Sequence, residues 1–441
     1  MAIDLDAILP DLESTVGKEH VSSDRSLVSQ EMNLPESPGN FLMVSPQRDE
    51  EVQEVVRKAG EKNVPIYTFY TPCVNGCMPS GDGILLNFKR MNEIERIDVL
   101  NLMAHVQRGV TFEQLQKELE EKELTMMLPA AAEGSSVACN YVNRRVMLGS
   151  GHYPEVQLST MRIVLADGDI HKTGSHALSE ETADCKEDGG ANLSRWYLGS
   201  EDIFGIMTRA SVYLYPVWQS RRSMCLGFDD FESAAKTIRE IPRNELGIEC
   251  LMMNSPEFKR VFGIDTNGGY PWVVIVGLRG KEKLVAYQEK RVKSLAEKHQ
   301  CRHMEVDDAA VTGKLDSPWY ADKAPHIGFY AKYPDAGAYH QTVEKYVNNE
   351  GLSADDMGTI LVSFSRGACA YQHYSFHGAR ENIPERLSFD LLEGGAYFDL
   401  PRGKLADKMY PSMPSYLNLL KRIKKMTDPK GILNPGRPVA L

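Results

Sequence analysis

Between residues 41 and 70 the chain reads FLMVSP, then EEVQEVVRKAGEKN, then VPIYTFY. An apolar run gives way to apolar residues at helical spacing and then returns. That order predicts strand, helix, strand, a βαβ unit whose helix ends at Gly60. The alternation continues with GILLNF, HVQRGV and RIVLADGDI as strands and TFEQLQKELEEKEL as an amphipathic helix capped by Thr111, closing near SVYLYPVW. From about residue 220 it resumes with SMCLGF, the helix FESAAKTIREI, GIECLMM, WVVIVGL and the long helix EKLVAYQEKRVKSLAEKH. A last strand-like stretch runs through TILVSFSRGACAYQHYSFHG, and a tail helix YLNLLKRIKKM stops at Asp428-Pro429. The fold class expected is α+β, with an acidic helical leader over 1–35, a first domain over 36–218, a second over 219–395 and a closing segment over 396–441.

More than one core is expected, since 441 residues exceed what a single hydrophobic core fills. The 50 Lys+Arg against 61 Asp+Glu leave a net charge of −11, and no basic run interrupts that balance. Phosphate backbones and anionic lipid need a basic face, so neither nucleic acid nor membrane is expected as partner, and a small molecule is. The opening MAIDLDAILPDLESTVG carries acids where a secretory signal carries bases, and no later run is apolar for long enough to span a bilayer. Eight cysteines in no framework spacing suggest reduced thiols and a cytoplasmic setting. His299, Cys301 and His303 follow a charged helix and read as surface residues, so no metal site is expected.

Neither GxGxxG nor GxxxxGK[ST] occurs, which disfavours a Rossmann NAD domain and a P-loop NTPase. The first domain offers small-residue turns instead: Asn75-Gly76, Gly81 to Gly83, Gly134-Ser135-Ser136 and Gly149-Ser150-Gly151. Such turns let backbone N–H groups approach an anion closely, although each taken alone is a surface turn more often than a phosphate nest. In the second domain YQHYSFH is the stretch richest in chemistry. As a strand it places Tyr371, His373, Ser375 and His377 on one face and Gln372, Tyr374 and Phe376 on the other. A cleft-facing polar face supplies a base and hydrogen-bond donors; a solvated outer face is the alternative. Arg366 and Arg402 are candidates to pair with a planar anion, against the commoner fate of surface ion pairs.

The pieces in their order resemble the flavoproteins of the vanillyl-alcohol oxidase and p-cresol methylhydroxylase (PCMH-type) superfamily. They are SPQRDEEVQEVVRKAGEKNVPI, LLNFKRMNEIERID, VQRGVTFEQLQKEL, GSSVACNYVNRR, MRIVLADGDIHKTG, YLGSEDIFGIMTRASVYLYP and KRIKKMTDPKGILNPGR, spanning about residues 40 to 441. The resemblance implies FAD held by a domain of two α+β subdomains over 36–218, with an α+β cap containing an antiparallel sheet over 219–395. It implies Asn75 and Gly76 near the pyrophosphate, and Gly134, Ser135, Ser136 and Asn140 along the second phosphate and flavin contact. Gly199, Ser200 and Gly205 would form a cofactor-side turn, for which a cap and close packing is an equal alternative. Asn434 and Arg437 would lie near the isoalloxazine ring. The candidate catalytic set is Tyr371, His373, His377 and Arg366 with Tyr397, which loosely matches a late tyrosine of phenol-oxidising relatives; the arginine that follows that tyrosine there is Phe398 here.

Departures from the pattern separate the readings. TFYTPCVNGCMPSG carries glycine only at 76 and 81, with Pro72 lacking an amide donor, and RRVMLGSGHYPEV replaces a stretch richer in glycine. Cys73 and Cys77 form a CxxxC pair that suits packing better than zinc, with thiol attachment of a flavin as the lesser reading. The HxGDGNxH and EHGxG strings of the metal-assisted 2-hydroxyacid dehydrogenases are absent, which disfavours a metal-assisted lactate or glycolate enzyme. The expectation is an FAD-dependent oxidoreductase that moves a hydride from a small alcohol, phenolic or hydroxy compound to flavin N5. Oxygen or an electron-acceptor partner subunit would reoxidise it within a homo- or hetero-oligomer. The alternative is a non-catalytic or flavin-free subunit of a larger complex.

Overall fold

A computed structural model describes residues 3–32, 39–69, 79–130, 134–147, 156–187, 190–266, 269–304, 306–317, 324–378 and 383–438. The leader carries α1 (Leu9–Val16), β1 (Val21–Ser22) and α2 (Arg25–Glu31), and it joins the first domain's core. Ile8, Leu12 and Val16 pack with Val52, Val55, Val56 and Ala59 of α3 (Asp49–Lys62). These four α3 residues follow the 3.6-residue repeat, so one stripe of the helix is buried. The helix runs past Gly60 and ends at Asn63, which takes the left-handed conformation (φ 53°) that asparagine tolerates. Around α3 lie β2 (Phe41–Val44), β3 (Ile66–Thr68) and β4 (Gly83–Leu86). The sheet order β1-β2-β4-β3 inserts β4 between the two strands of the expected βαβ unit, with β2, β4 and β3 parallel.

The second sheet is antiparallel, β5 (Ile94–Asp98), β6 (Met103–Gln107), β8 (Leu158–Val164), β9 (Ile170–Lys172) and β10 (Ile206–Tyr213), ordered β5-β6-β10-β8-β9. A short pair, β7 (Leu124–Thr125) with β11 (Tyr215–Pro216), lies beside it. Two helices pack on this sheet, α4 (Phe112–Glu120) and α5 (Val137–Val142). Thr111 caps α4 as expected, its hydroxyl accepting from the Gln114 amide at 3.2 Å, and Ser136 caps α5.

The third sheet has seven strands and is antiparallel throughout. Its members are β12 (Ser220–Phe228), β13 (Cys250–Asn254), β14 (Trp272–Gly280), β15 (Arg302–His303), β16 (His326–Lys332), β17 (Met357–Phe364) and β18 (Cys369–Phe376), in the order β15-β12-β14-β13-β17-β18-β16. The stretch read as one strand through TILVSFSRGACAYQHYSFHG is the hairpin β17–β18, reversed at Ser365 and Arg366, both at positive φ. One face is covered by α6 (Phe231–Arg243), α8 (Glu282–Glu297), α10 (Tyr333–Asn349) and α11 (Ile383–Glu393). The other face meets α7 (Ser255–Phe262) and α9 (Asp308–Leu315), and Val146 of the first domain packs against the same cluster.

The chain then returns through α12 (Gly403–Met409) and α13 (Pro414–Thr427), and Leu433 bridges Ile66 as an added parallel partner of β3. Buried Lys424 locks the turn that follows. Its ammonium donates to Asp428 at 2.6 Å and to the carbonyls of Ile203 and Leu433 at 2.9 and 2.6 Å. The Asp428 carboxylate accepts the Ile432 and Leu433 amides. A charge this buried persists because every donor has an acceptor.

His340 of α10 stacks on Phe231 with ring centroids 4.5 Å apart and planes 7° from parallel. Burial pushes its pKa down from the ordinary 6.5 to about 4. The unfolded chain therefore takes up a proton in that window while the folded chain does not, so stability is lost as the pH falls from 6.5 toward 4. His340→Phe is expected to flatten this part of the pH dependence, measured as the urea midpoint at each pH.

Candidate functional site

Two groups of residues make up the candidate site. The first lies where β3, the 199–205 turn and the tail meet. Glu201, Asp202 and Asn434 there have φ of 52°, 60° and 44°, left-handed values that strain residues other than glycine. Their side chains explain the tolerance. Asn434 Oδ1 accepts from the Thr68 amide at 2.9 Å, while its Nδ2 donates to Thr68 Oγ1 at 3.0 Å and to the Glu201 carbonyl at 2.9 Å. Thr68 Oγ1 and Arg108 Nη2 each donate to Asp202 Oδ2 at 2.7 Å. Arg108 Nη1 reaches the Met207 carbonyl at 2.9 Å, and Arg437 Nη1 reaches the Thr68 carbonyl at 2.7 Å. Asn434 and Arg437, expected near the flavin ring, thus tie the tail to β3. Arg402 Nε donates to Glu201 Oε1 at 2.9 Å, so this candidate anion partner already binds a carboxylate of the chain.

The glycine-serine turns differ in what surrounds them. A Cβ on Gly134 would meet nothing within 4 Å, so this turn opens on space beside the buried Ser135 and Ser136. Asn140 Nδ2 braces it, donating to Ser135 Oγ at 3.1 Å and to the Ser136 carbonyl at 2.7 Å. Gly199 (φ 70°) donates its amide to the Val142 carbonyl at 2.8 Å, and Ser200 Oγ donates to the Tyr197 carbonyl at 2.9 Å. A Cβ on Gly205 would sit 2.5 Å from Ile163 Cγ2. Of the two readings of Gly205, the structure shows close packing against β8. Asn75, Gly76, Cys73 and Cys77, and the Gly149 to Gly151 turn, lie outside the described residues.

These surroundings suit a bound cofactor. Gly134 is exposed and leaves open space beside Ser135 and Ser136, and Glu201 Oε2 is buried with no hydrogen-bond partner among the described residues. An unpaired buried carboxylate oxygen is costly unless a donor completes it. Among the described residues no group of three or more His, Cys, Asp or Glu side chains is placed to hold a metal ion. Nor is any helix among them long and apolar enough to cross a membrane.

The second group lies on the cap sheet. Tyr371, His373 and Ser375 share a face, as the period-two reading expected, and β16 extends it with His326, Gly328 and Tyr330. Tyr330 and Tyr371 meet edge to face at 5.1 Å, and the rings of Tyr371 and His373 are 6.4 Å apart. A Cβ on Gly328 would fall 1.9 Å from Tyr371 Oη, so the phenol occupies the space a side chain would take. Tyr397 joins through its backbone, exchanging hydrogen bonds of 2.8 and 3.0 Å with Tyr330. Burial pushes the Tyr371 phenol well up; the charge of Asp399 adds to this and Arg145 opposes it. Burial likewise raises the Asp399 carboxyl against Arg144 and Arg145, and the Tyr397 phenol, where Tyr416 and Asp399 add and Arg144 opposes. Arg144 and Arg145, just past α5, therefore share one electrostatic environment with the cap's tyrosines.

Two expected members stand apart. His377 is about 20 Å from Tyr371 along an extended strand, and its Nε2 lies 3.1 Å from Ser375 Oγ and 3.8 Å from Glu257 Oε2. Arg366 is exposed at the β17–β18 tip, 3.6 Å from Glu245, on a turn that packs against α6. Helix α6 covers the face of the sheet opposite Tyr371. His326, Tyr330, Asp399, Arg144 and Arg145 were missed, although period-two Ile327, Phe329 and Ala331 marked β16.

Residues 42–174 match the FAD binding domain family, and residues 409–437 match the C-terminal domain of FAD linked oxidases. Fold and matches together define an FAD-binding oxidoreductase scaffold. The chain has the fold of the PCMH- and vanillyl-alcohol-oxidase-type flavoproteins. Among solved structures, p-cresol methylhydroxylase with substrate bound shares the fold at a TM-score of 0.85 and 17% identity, covering 99% of this chain and 96% of that one. The D-lactate dehydrogenase of Archaeoglobus fulgidus is 24% identical over 433 residues, 92% of this chain and 93% of that protein. The mitochondrial D-2-hydroxyglutarate dehydrogenase of Danio rerio is 24% identical over 435 residues, 89% of this chain and 77% of that protein.

Proposed function

We infer that this protein is an FAD-dependent oxidoreductase that oxidises a small hydroxy compound. What supports the reading is the pair of family matches on the first domain and the tail, together with a cap strand bearing Tyr371 and His373. The relatives' names, D-lactate and D-2-hydroxyglutarate dehydrogenase, favour a hydroxy acid, whereas the similarity to p-cresol methylhydroxylase supports the fold. FAD, when bound, supplies the two-electron acceptor.

Gly134, Ser135, Ser136 and Asn140 would hold the cofactor, with Gly199 and Ser200 behind them and Asn434 and Arg437 fixing the wall. Tyr371 stays protonated because burial raises its pKa, so it serves as a hydrogen-bond donor to a substrate oxygen, with Tyr397 beside it. His373 is the group on this face suited to accept the substrate's hydroxyl proton. Arg144 and Arg145 supply positive charge at the same site, which would favour an anionic substrate.

The test is the visible spectrum of the purified full chain, followed by a substrate screen with a dye acceptor. Yellow protein that reduces the dye with 2-hydroxy acids or phenolic alcohols supports the reading. Colourless folded protein that gains no flavin on reconstitution would overturn it in favour of a flavin-free subunit.

A further inference from the structure

His326 has been given no role so far, and its geometry is specific. It stands on β16 across from Ser375, next but one to Gly328, which is itself across from His373. The rings of His326 and His373 are 5.1 Å apart with planes inclined at 33°. His326 Nδ1 lies 3.2 Å from the Ala324 carbonyl oxygen. A carbonyl only accepts, so Nδ1 carries the proton, and the lone pair of the neutral ring is on Nε2. The bare Cα of Gly328 keeps this part of the sheet open to the Tyr371 hydroxyl and to the histidine ring opposite. One fixed tautomer is thus set beside a second imidazole, with a phenol at hand.

We propose that His326 is the positioning partner of His373, and that the two imidazoles handle the substrate proton as one unit. This rests on His373 being the proton acceptor of the proposed reaction. In the step, His373 takes the hydroxyl proton as the substrate's C–H electron pair leaves for the two-electron acceptor, and the positive charge formed is shared with His326. Tyr330 and Tyr371 face the pair from the same two strands. Ser375 and His377 lie along β18 beyond it, and Arg145 and Asp399 contribute the charges felt at Tyr371. Interacting sites of this kind lose their protons in two steps that belong to the pair.

The experiment uses the full chain with its flavin. The imidazole signals of His326 and His373 are titrated by NMR in the wild type and in His326→Gln, and kcat, KM and the pH profile are measured for both. The expected result is two steps at least about one pH unit apart in the wild type and a single His373 step in His326→Gln. In that variant kcat falls at least about tenfold with KM little changed, the acid limb of the profile moves, and added imidazole restores part of the rate of His326→Ala. Independent titration of the two rings, or an unchanged profile in folded, flavin-loaded His326→Gln, overturns the pairing. If His373→Ala itself keeps full turnover, it is the assignment of this face that fails. Full loss in His373→Ala with a silent His326→Gln overturns the pairing alone.

Discussion

Asp202→Ala is expected to lower the stability of the chain by about 3–5 kcal/mol, the range for removing one partner of a buried ion pair. The reason is Arg108, which is only 1% exposed and lies over the Phe88 ring, with Asp202 as its carboxylate partner. Without that carboxylate the buried guanidinium loses its Asp202 partner, and Thr68 Oγ1 and the Met207 amide lose their acceptor. Asp202 also holds a left-handed backbone beside Glu201, and the strain there is sustained by these same bonds. Urea unfolding should show the loss, and the flavin content of Asp202→Ala should fall with it. Arg108→Met on the Asp202→Ala background should recover part of the stability, because the buried charge that lost its carboxylate is gone. A loss below about 1 kcal/mol, the scale of an exposed pair, would show that solvent reaches this pair.

His373→Ala is expected to lower turnover by about a hundredfold or more, the usual scale for a positioned proton acceptor, with flavin content unchanged. His377→Ala should change turnover by less than about threefold, since it sits at the far end of β18 on Ser375 and Glu257. Steady-state rates with a dye acceptor, read beside the flavin absorbance, separate the two. Equal effects of both substitutions would place the reacting carbon elsewhere on the cap.

Much of the fold was legible because it is local. The α3 stripe, the Thr111 cap and the alternation of Tyr371, His373 and Ser375 each follow from a few neighbouring residues and came out as expected. What stayed hidden depends on residues far apart in sequence. Nothing near Asp202 announces Arg108, and Asn434 reads as part of an NPG turn until Thr68 is seen 366 positions away. Gly205 shows the limit from the other side. A glycine beside a serine turn suits a cofactor or a tight contact, and only the distance to Ile163 tells which. Arg366 was read as a ligand because guanidinium binds anions, yet its place on a hairpin tip decides its fate.

The return of the tail to β3 has a consequence for biosynthesis. Ile66 donates its amide to Ile432 and accepts from that of Asn434, so the β3 edge of the opening sheet is uncovered until those distant positions are made. A nascent chain stalled in the cap would expose that edge as a template for stray strands.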